Sequence, residues 1–97
     1  MDSLIISAIN EKKLLEFTYD GLVRIVEPHV YGVTDGKYEL LVYQIRGQSR
    51  SGGLPNWRRV ILNKVTNMKI LDESFSGRRP TPSGKHSSFD RTIAIVK

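Results

Sequence analysis

Apolar positions recur first at helical and then at alternating spacing along this chain. Leu4, Ile5, Ala8 and Ile9 fall at i, i+1, i+4 and i+5, one stripe of a helix predicted over residues 3–13. Asn10, Glu11, Lys12 and Lys13 supply its polar side and exit, and Asp2 or Ser3 can cap its free N–H groups. A helix this short does not stand alone and needs a sheet to cover. From Leu14 the period becomes two. Leu15, Phe17 and Tyr19 share one strand face, Asp20-Gly21 suits a two-residue type I′ turn, and residues 22–26 form the return strand. Pro28 cannot donate to a ladder, so it marks an edge, a bend or a strand start. Residues 29–33 resume extended structure, and Asp35-Gly36 repeats the hairpin signal. Residues 38–45 are the richest strand, apolar on both faces. Residues 57–62 and 65–71 follow. Turn chemistry accounts for Asp20 and Asp35 without a catalytic role. Five or six short strands after one helix predict a mainly β fold, an antiparallel sheet curled into a small barrel.

Residues 47–56 are glycine-rich, polar and basic, and read as a mobile loop. Residues 76–88, rich in Pro, Gly and Ser, read as a linker or tail. The expected division is therefore a domain over residues 1–75, then a polar linker and a β-prone segment over 76–97. That last segment, Thr92-Ile93-Ala94-Ile95-Val96, is expected to pair with a sheet edge, either closing its own barrel or adding to a neighbour's as a route to a homodimer.

Composition narrows the chemistry. The 97 residues hold 15 Lys+Arg against 10 Asp+Glu, and no cysteine, which excludes disulfides, thiolate metal sites and a cysteine nucleophile. The opening residues lack a basic segment and read as no secretory signal, and no apolar run nears the roughly 20 residues of a membrane span. A cytoplasmic protein without membrane association is expected. His29 and His86 lack ligand spacing, so neither metal nor cofactor is expected. No Walker A or dinucleotide fingerprint exists, residues 47–51 lack the second glycine of a nucleophile elbow, and the carboxylates form no acid/base pair. No enzyme is expected.

What remains is basic residues interleaved with aromatics on strands: Tyr19, Arg24, Tyr38, Tyr43, Trp57, Arg58, Arg59 and Lys64. An arginine beside a ring can grip a phosphate while a base stacks on the ring. Phe17, Tyr38 and Trp57 are expected to pack in the core. Arg24 differs: it interrupts an apolar strand on the face of Leu22 and Val26, where a charge must be paired, snorkelling or functional.

The helix around Ile9, Phe17-Thr18-Tyr19, Arg24-x-Val26-x-Pro28, Gly36-Lys37-Tyr38-Glu39-Leu40 and the run Trp57-Arg58-Arg59-Val60-Ile61-Leu62-Asn63-Lys64-Val65 together resemble a WYL domain over residues 3–75. The eponymous tripeptide stands here as Tyr38-Glu39-Leu40. Ile61 stands where the family usually has arginine, and Asn63 where it has aspartate. The resemblance implies an SH3/Sm-like barrel with a leading helix, a ligand-sensing module of bacterial transcription regulators and phage-defence proteins. It implies a basic pocket for nucleic acid or a nucleotide-like ligand at Tyr19, Arg24, Arg58 and Lys64. The helix-turn-helix and C-terminal extension domains usual beside it are not found, so a stand-alone, divergent module is expected. Its expected function is non-enzymatic binding of single-stranded nucleic acid or a nucleotide. Arg24 and Arg58 would hold phosphate, Tyr19 would stack or orient, and the loop over residues 47–56 with Arg50 would close over the ligand; Arg59 is a further candidate binding residue. The alternative is a protein-interaction or dimerisation module working by sheet-edge pairing.

Overall fold

Two Asp-Gly pairs set the frame. Asp20 and Gly21 take φ of 54° and 72°, and Asp35 and Gly36 take 51° and 74°, the paired positive values of a type I′ turn. They join strands β1 (Lys13–Tyr19), β2 (Leu22–Thr34) and β3 (Lys37–Gly47) into two successive hairpins. The computed structural model describes residues 1–50, 52–80 and 88–97. Helix α1 (Asp2–Glu11) precedes β1 and ends where Lys12 turns left-handed at φ 56°. Strands β4 (Asn56–Ile61), β5 (Val65–Ser74) and β6 (Arg91–Ile95) complete the sheet, with a single 3-10 turn over Leu62–Lys64 between β4 and β5.

The sheet is antiparallel and runs β4-β3-β2-β1-β5. The two ends of that path are neighbours in sequence, three residues apart, so the sheet must curl. No ladder joins β4 to β5 among the described residues, and the sheet stays open. The fold is thus mainly β with one N-terminal helix, as its pattern indicates. Pro28 does not end a strand. It sits in one continuous β2 at a register shift against β3, and the chain on either side has different neighbours. Residues before it pair with β1, and Val30 to Val33 pair with β6.

The C-terminal segment is therefore taken up by its own sheet rather than left to a second copy. Residues 76–97 are not simply a tail: Val96 is buried in the main core and its N–H donates to the His29 carbonyl. Residues 81–87, most of the expected linker and the position of His86, lie outside the described residues, as does Ser51 in the 47–56 loop.

The curl has an apolar inner face. Leu15 and Phe17 on β1, Val26 and Tyr31 on β2, Leu40 and Val42 on β3, and Val60 on β4 meet Ile5, Ala8 and Ile9 of α1. Neither Asp2 nor Ser3 caps that helix: Met1 is the N-cap and makes no side-chain cap bond. Asp2 instead accepts the Tyr31 hydroxyl, tying α1 to β2. Of the three aromatics expected inside, only Phe17 is buried there. Tyr38 is 49% exposed at the start of β3, and Trp57 lies half-buried on the other face of β4.

Gly47 ends β3 opposite Arg24 with φ 93°. A Cβ there would lie 2.4 Å from the Val23 carbonyl oxygen and 3.0 Å from the Arg24 Cα, both backbone atoms that cannot swing away. Gly47→Ala is expected to cost about 2 kcal/mol, read as a lower urea midpoint at unchanged slope.

Candidate functional site: a basic recess at one end of the sheet

Strand alternation and register assemble the site. Arg24 precedes Val26 by two positions on the inner face of β2, Gln44 follows Val42 on β3, and Arg58 precedes Val60 on β4. Val26 pairs with Gln44, and Val42 pairs with Arg58, so Gln44 sits on the central strand between two arginines of the flanking strands. The apolar inner face thus turns polar at one end.

Arg24 is 5% exposed. Its Nε donates to the Tyr19 carbonyl at 3.4 Å and its Nη1 to Gln44 Oε1 at 3.3 Å. Its guanidinium lies 5.4 Å from the Tyr19 ring centroid. No carboxylate among the described residues forms an ion pair with it. Burial pushes its pKa down, repulsion from Arg58 and then Arg50 pushes the same way, and Asp20 and Tyr19 only partly oppose them. The charges of Arg58 and Arg50 thus both act on Arg24. Among the described residues no fully buried side-chain nitrogen lacks a partner, and Arg24 Nη2 has none, so that edge of the guanidinium reaches solvent.

Arg58 stands half-buried above this floor. It donates to Ser49 Oγ at 2.7 Å, to the Gly52 carbonyl at 3.4 Å and to the Trp57 carbonyl at 3.3 Å, so Ser49 and Gly52 are both tied to it. Gln44 fixes the same loop from below, its Nε2 donating to the carbonyls of Arg46 at 3.1 Å and Gln48 at 2.9 Å. Arg50 is exposed at the rim.

Two expected residues do not join this recess. Arg59, one position on, points to the other face. Its Nε donates to Glu39 at 2.6 Å, its Nη2 to Thr34 Oγ1 at 2.6 Å, and its guanidinium covers the Phe89 ring at 3.9 Å. Lys64 is exposed in the 3-10 turn, and no contact ties it to Arg24 or Arg58. Ile61 shares the face of Arg59 and lines a shallow crevice with Tyr38 and Asn63, while its N–H donates to the Tyr19 hydroxyl at 3.4 Å. Gln44 is the residue that sequence reasoning passed over. Its signal was an amide in step with Leu40 and Val42 on a strand otherwise apolar there.

A second polar cluster occupies the opposite face. Glu27, 3% exposed, receives Arg79 Nε at 2.7 Å and Arg79 Nη2 at 2.9 Å, while His29 Nε2 lies 3.2 Å away. Burial alone would raise the Glu27 pKa, but hydrogen bonds from Arg79 and His29 outweigh it and hold the carboxyl below its ordinary range. Burial pushes His29 below its usual value against the pull of Glu27, so near neutrality it is an uncharged imidazole donating from Nε2. Arg79 also lies over the Tyr43 ring at 4.4 Å, and Trp57 packs edge-on to both Tyr43 and His29. Every charge here has a partner, so this cluster fastens residues 75–80 to the sheet.

Among the described residues no helix is long and apolar enough to cross a membrane. No family model matches this chain, and neither a curated protein nor a solved structure does. The likeness to WYL domains thus stands on the residues quoted for it.

Proposed function

We propose that this chain is a non-enzymatic binding module that takes single-stranded nucleic acid or a nucleotide-like anion into the recess of Arg24, Arg58 and Arg50. The observation that carries this reading is Arg24. A guanidinium held almost wholly out of water, without a carboxylate and beside a second guanidinium, is an energetic liability for folding alone. An anion removes that liability by supplying the missing counter-charge, and the solvent-reaching Nη2 edge gives it somewhere to bind. The Tyr19 ring beside Arg24 offers a base a surface to stack on. The resemblance to WYL domains adds the biological setting, a ligand-sensing role in bacterial transcription regulation or phage defence. The alternative of dimerisation through the C-terminal strand loses its support, because β6 is already paired with β2 of the same chain.

Binding of a labelled single-stranded oligonucleotide at two ionic strengths tests the reading. With two or three cations engaged, log K is expected to fall against log salt with a slope of about −1.5 to −2, or about tenfold between 50 and 200 mM. Absence of binding to DNA and RNA at low salt removes it.

A further inference from the structure

Three strands set apolar side chains on the sheet face turned away from α1. Leu40 and Val42 belong to the main core, so alternation sends Leu41 between them to the other side. Leu41 pairs with Val30 of β2, and Val30 pairs with Ile95 of β6, which makes one row across the sheet. Leu41 and Val30 are buried although neither belongs to the main core, and Ile95 is 44% exposed. Against this row lies a cavity of about 470 Å³, walled by Arg78, Arg79 and Pro80. Cavities of roughly 300–1,000 Å³ are the size that takes small ligands.

The wall is fastened at two points. Arg79 is bound to Glu27 of β2 at 2.7 Å, and the Arg78 N–H donates to the Lys97 carbonyl at 3.3 Å. The cavity is therefore formed before a ligand arrives, and little chain is left to order on binding.

Charge selects the occupant. Arg79 is already matched by Glu27 and offers a ligand no net charge. The Arg78 guanidinium makes no hydrogen bond or ion pair among the described residues. Its charge also reaches His29, another residue lining the cavity. One unmatched cation beside an apolar floor complements a monoanion with an apolar body. A dianion would bring a second charge toward the Glu27 carboxylate with no cation left to meet it. The planar guanidinium fork matches the two oxygens of a carboxylate.

We propose that this cavity binds a small monocarboxylate with an apolar body, its carboxylate on Arg78 and its body over Leu41, Val30 and Ile95. The site lies on the sheet face opposite the Arg24 recess and does not depend on the nucleic-acid reading.

The experiment uses the full chain and the fluorescence of Trp57, its single tryptophan, whose ring lies 4.8 Å from that of His29. Butanoate, hexanoate and octanoate are titrated, with octan-1-ol, octylammonium and octyl phosphate for comparison. Calorimetry repeats each titration, so that binding to which the indole is silent is still counted. The expected result is saturable binding that tightens about tenfold for every two added methylenes. Octanoate is expected to bind about tenfold or more tightly than the alcohol or the ammonium. Arg78→Ala is expected to abolish the advantage over the alcohol, and Ile95→Ser to weaken acid and alcohol alike. Arg78→Gln repeats the first test with a longer side chain, and urea midpoints equal to the parent's show that each variant is folded. Neither position belongs to the Arg24 recess, so oligonucleotide binding should survive both substitutions, and Arg24→Met should leave octanoate binding unchanged. No saturable octanoate binding by calorimetry overturns the proposal, as does octan-1-ol binding as tightly as octanoate. Tighter binding of octyl phosphate than of octanoate overturns the choice of a monoanion. Octanoate affinity unmoved by both Arg78 substitutions overturns the site.

Discussion

Replacing Arg24 by methionine is expected to weaken anion binding about a hundredfold and leave the fold standing. The two effects separate because the guanidinium has opposite values in the two processes. In binding it supplies charge-assisted hydrogen bonds from the floor of the recess, each worth about 1.5–3 kcal/mol, or roughly 10- to 100-fold. In folding it is a desolvated cation beside another cation. Methionine retains most of the stem that lies among Tyr19 and Gln44 and removes the charge. Against that gain, Gln44 Oε1 loses its donor and stays buried, at about 1–3 kcal/mol. Exchanging a buried charge for an apolar side chain typically returns about 1–4 kcal/mol. The terms nearly cancel, so the urea midpoint of Arg24→Met should lie within about 1 kcal/mol of the parent. Anisotropy with a labelled oligonucleotide and a urea titration on the same preparation check both halves. Unchanged affinity places the anion elsewhere; a strongly destabilised variant identifies Arg24 as a structural residue.

The readable parts of this fold are those fixed by residues close in sequence. Each Asp-Gly turn specifies its own backbone, and register then follows from alternation, which is why Phe17, Arg24 and Val26 fall on the face their pattern assigns. The pairing of Arg24 with Arg58 was legible only as a question. It depends on β2 and β4 flanking the same strand with matching parity, which the chain settles through Val26–Gln44 and Val42–Arg58. Arg58 and Arg59 look alike in sequence, and one residue of alternation sends the first to the recess and the second to Glu39. Ionic partners 52 residues apart, such as Glu27 and Arg79, leave no local trace. The same holds for β6, whose β-prone residues announce a strand while its partner is chosen by the bend at Pro28. Tyr38 departs from the core position its aromatic size favours because its ring sits beside a hairpin turn, exposed on the first residues of β3.

That same non-local cluster makes the strongest stability test. Arg79→Ala is expected to cost about 3 kcal/mol at pH 8 and distinctly less at pH 5.5, the reverse of the parent's own trend. In the parent, His29 has a folded pKa below its unfolded value. The unfolded chain then binds the proton first, so stability is full above about pH 6.5 and is lost as pH falls through the folded value. Glu27, also depressed, adds a second loss at lower pH, as its carboxylate is protonated. Removing Arg79 changes the partner available to Glu27. Its carboxylate remains among buried groups with only His29 in contact, and Arg78 acts from farther away. Breaking one side of a buried ion pair is costly chiefly because the other charge is stranded, and here the stranded charge is the 3%-exposed one. Arg79 is 42% exposed in its side chain and itself surrenders little. The imidazole can repair this by taking a proton and becoming the missing cation, which raises its folded pKa. Each unit of that rise is worth about 1.4 kcal/mol below the folded value. Urea unfolding of both proteins at pH 5.5 and 8 checks the argument. If the variant loses stability on acidification as steeply as the parent, His29 does not respond to Glu27, and the cluster is held by the Arg79 contacts alone.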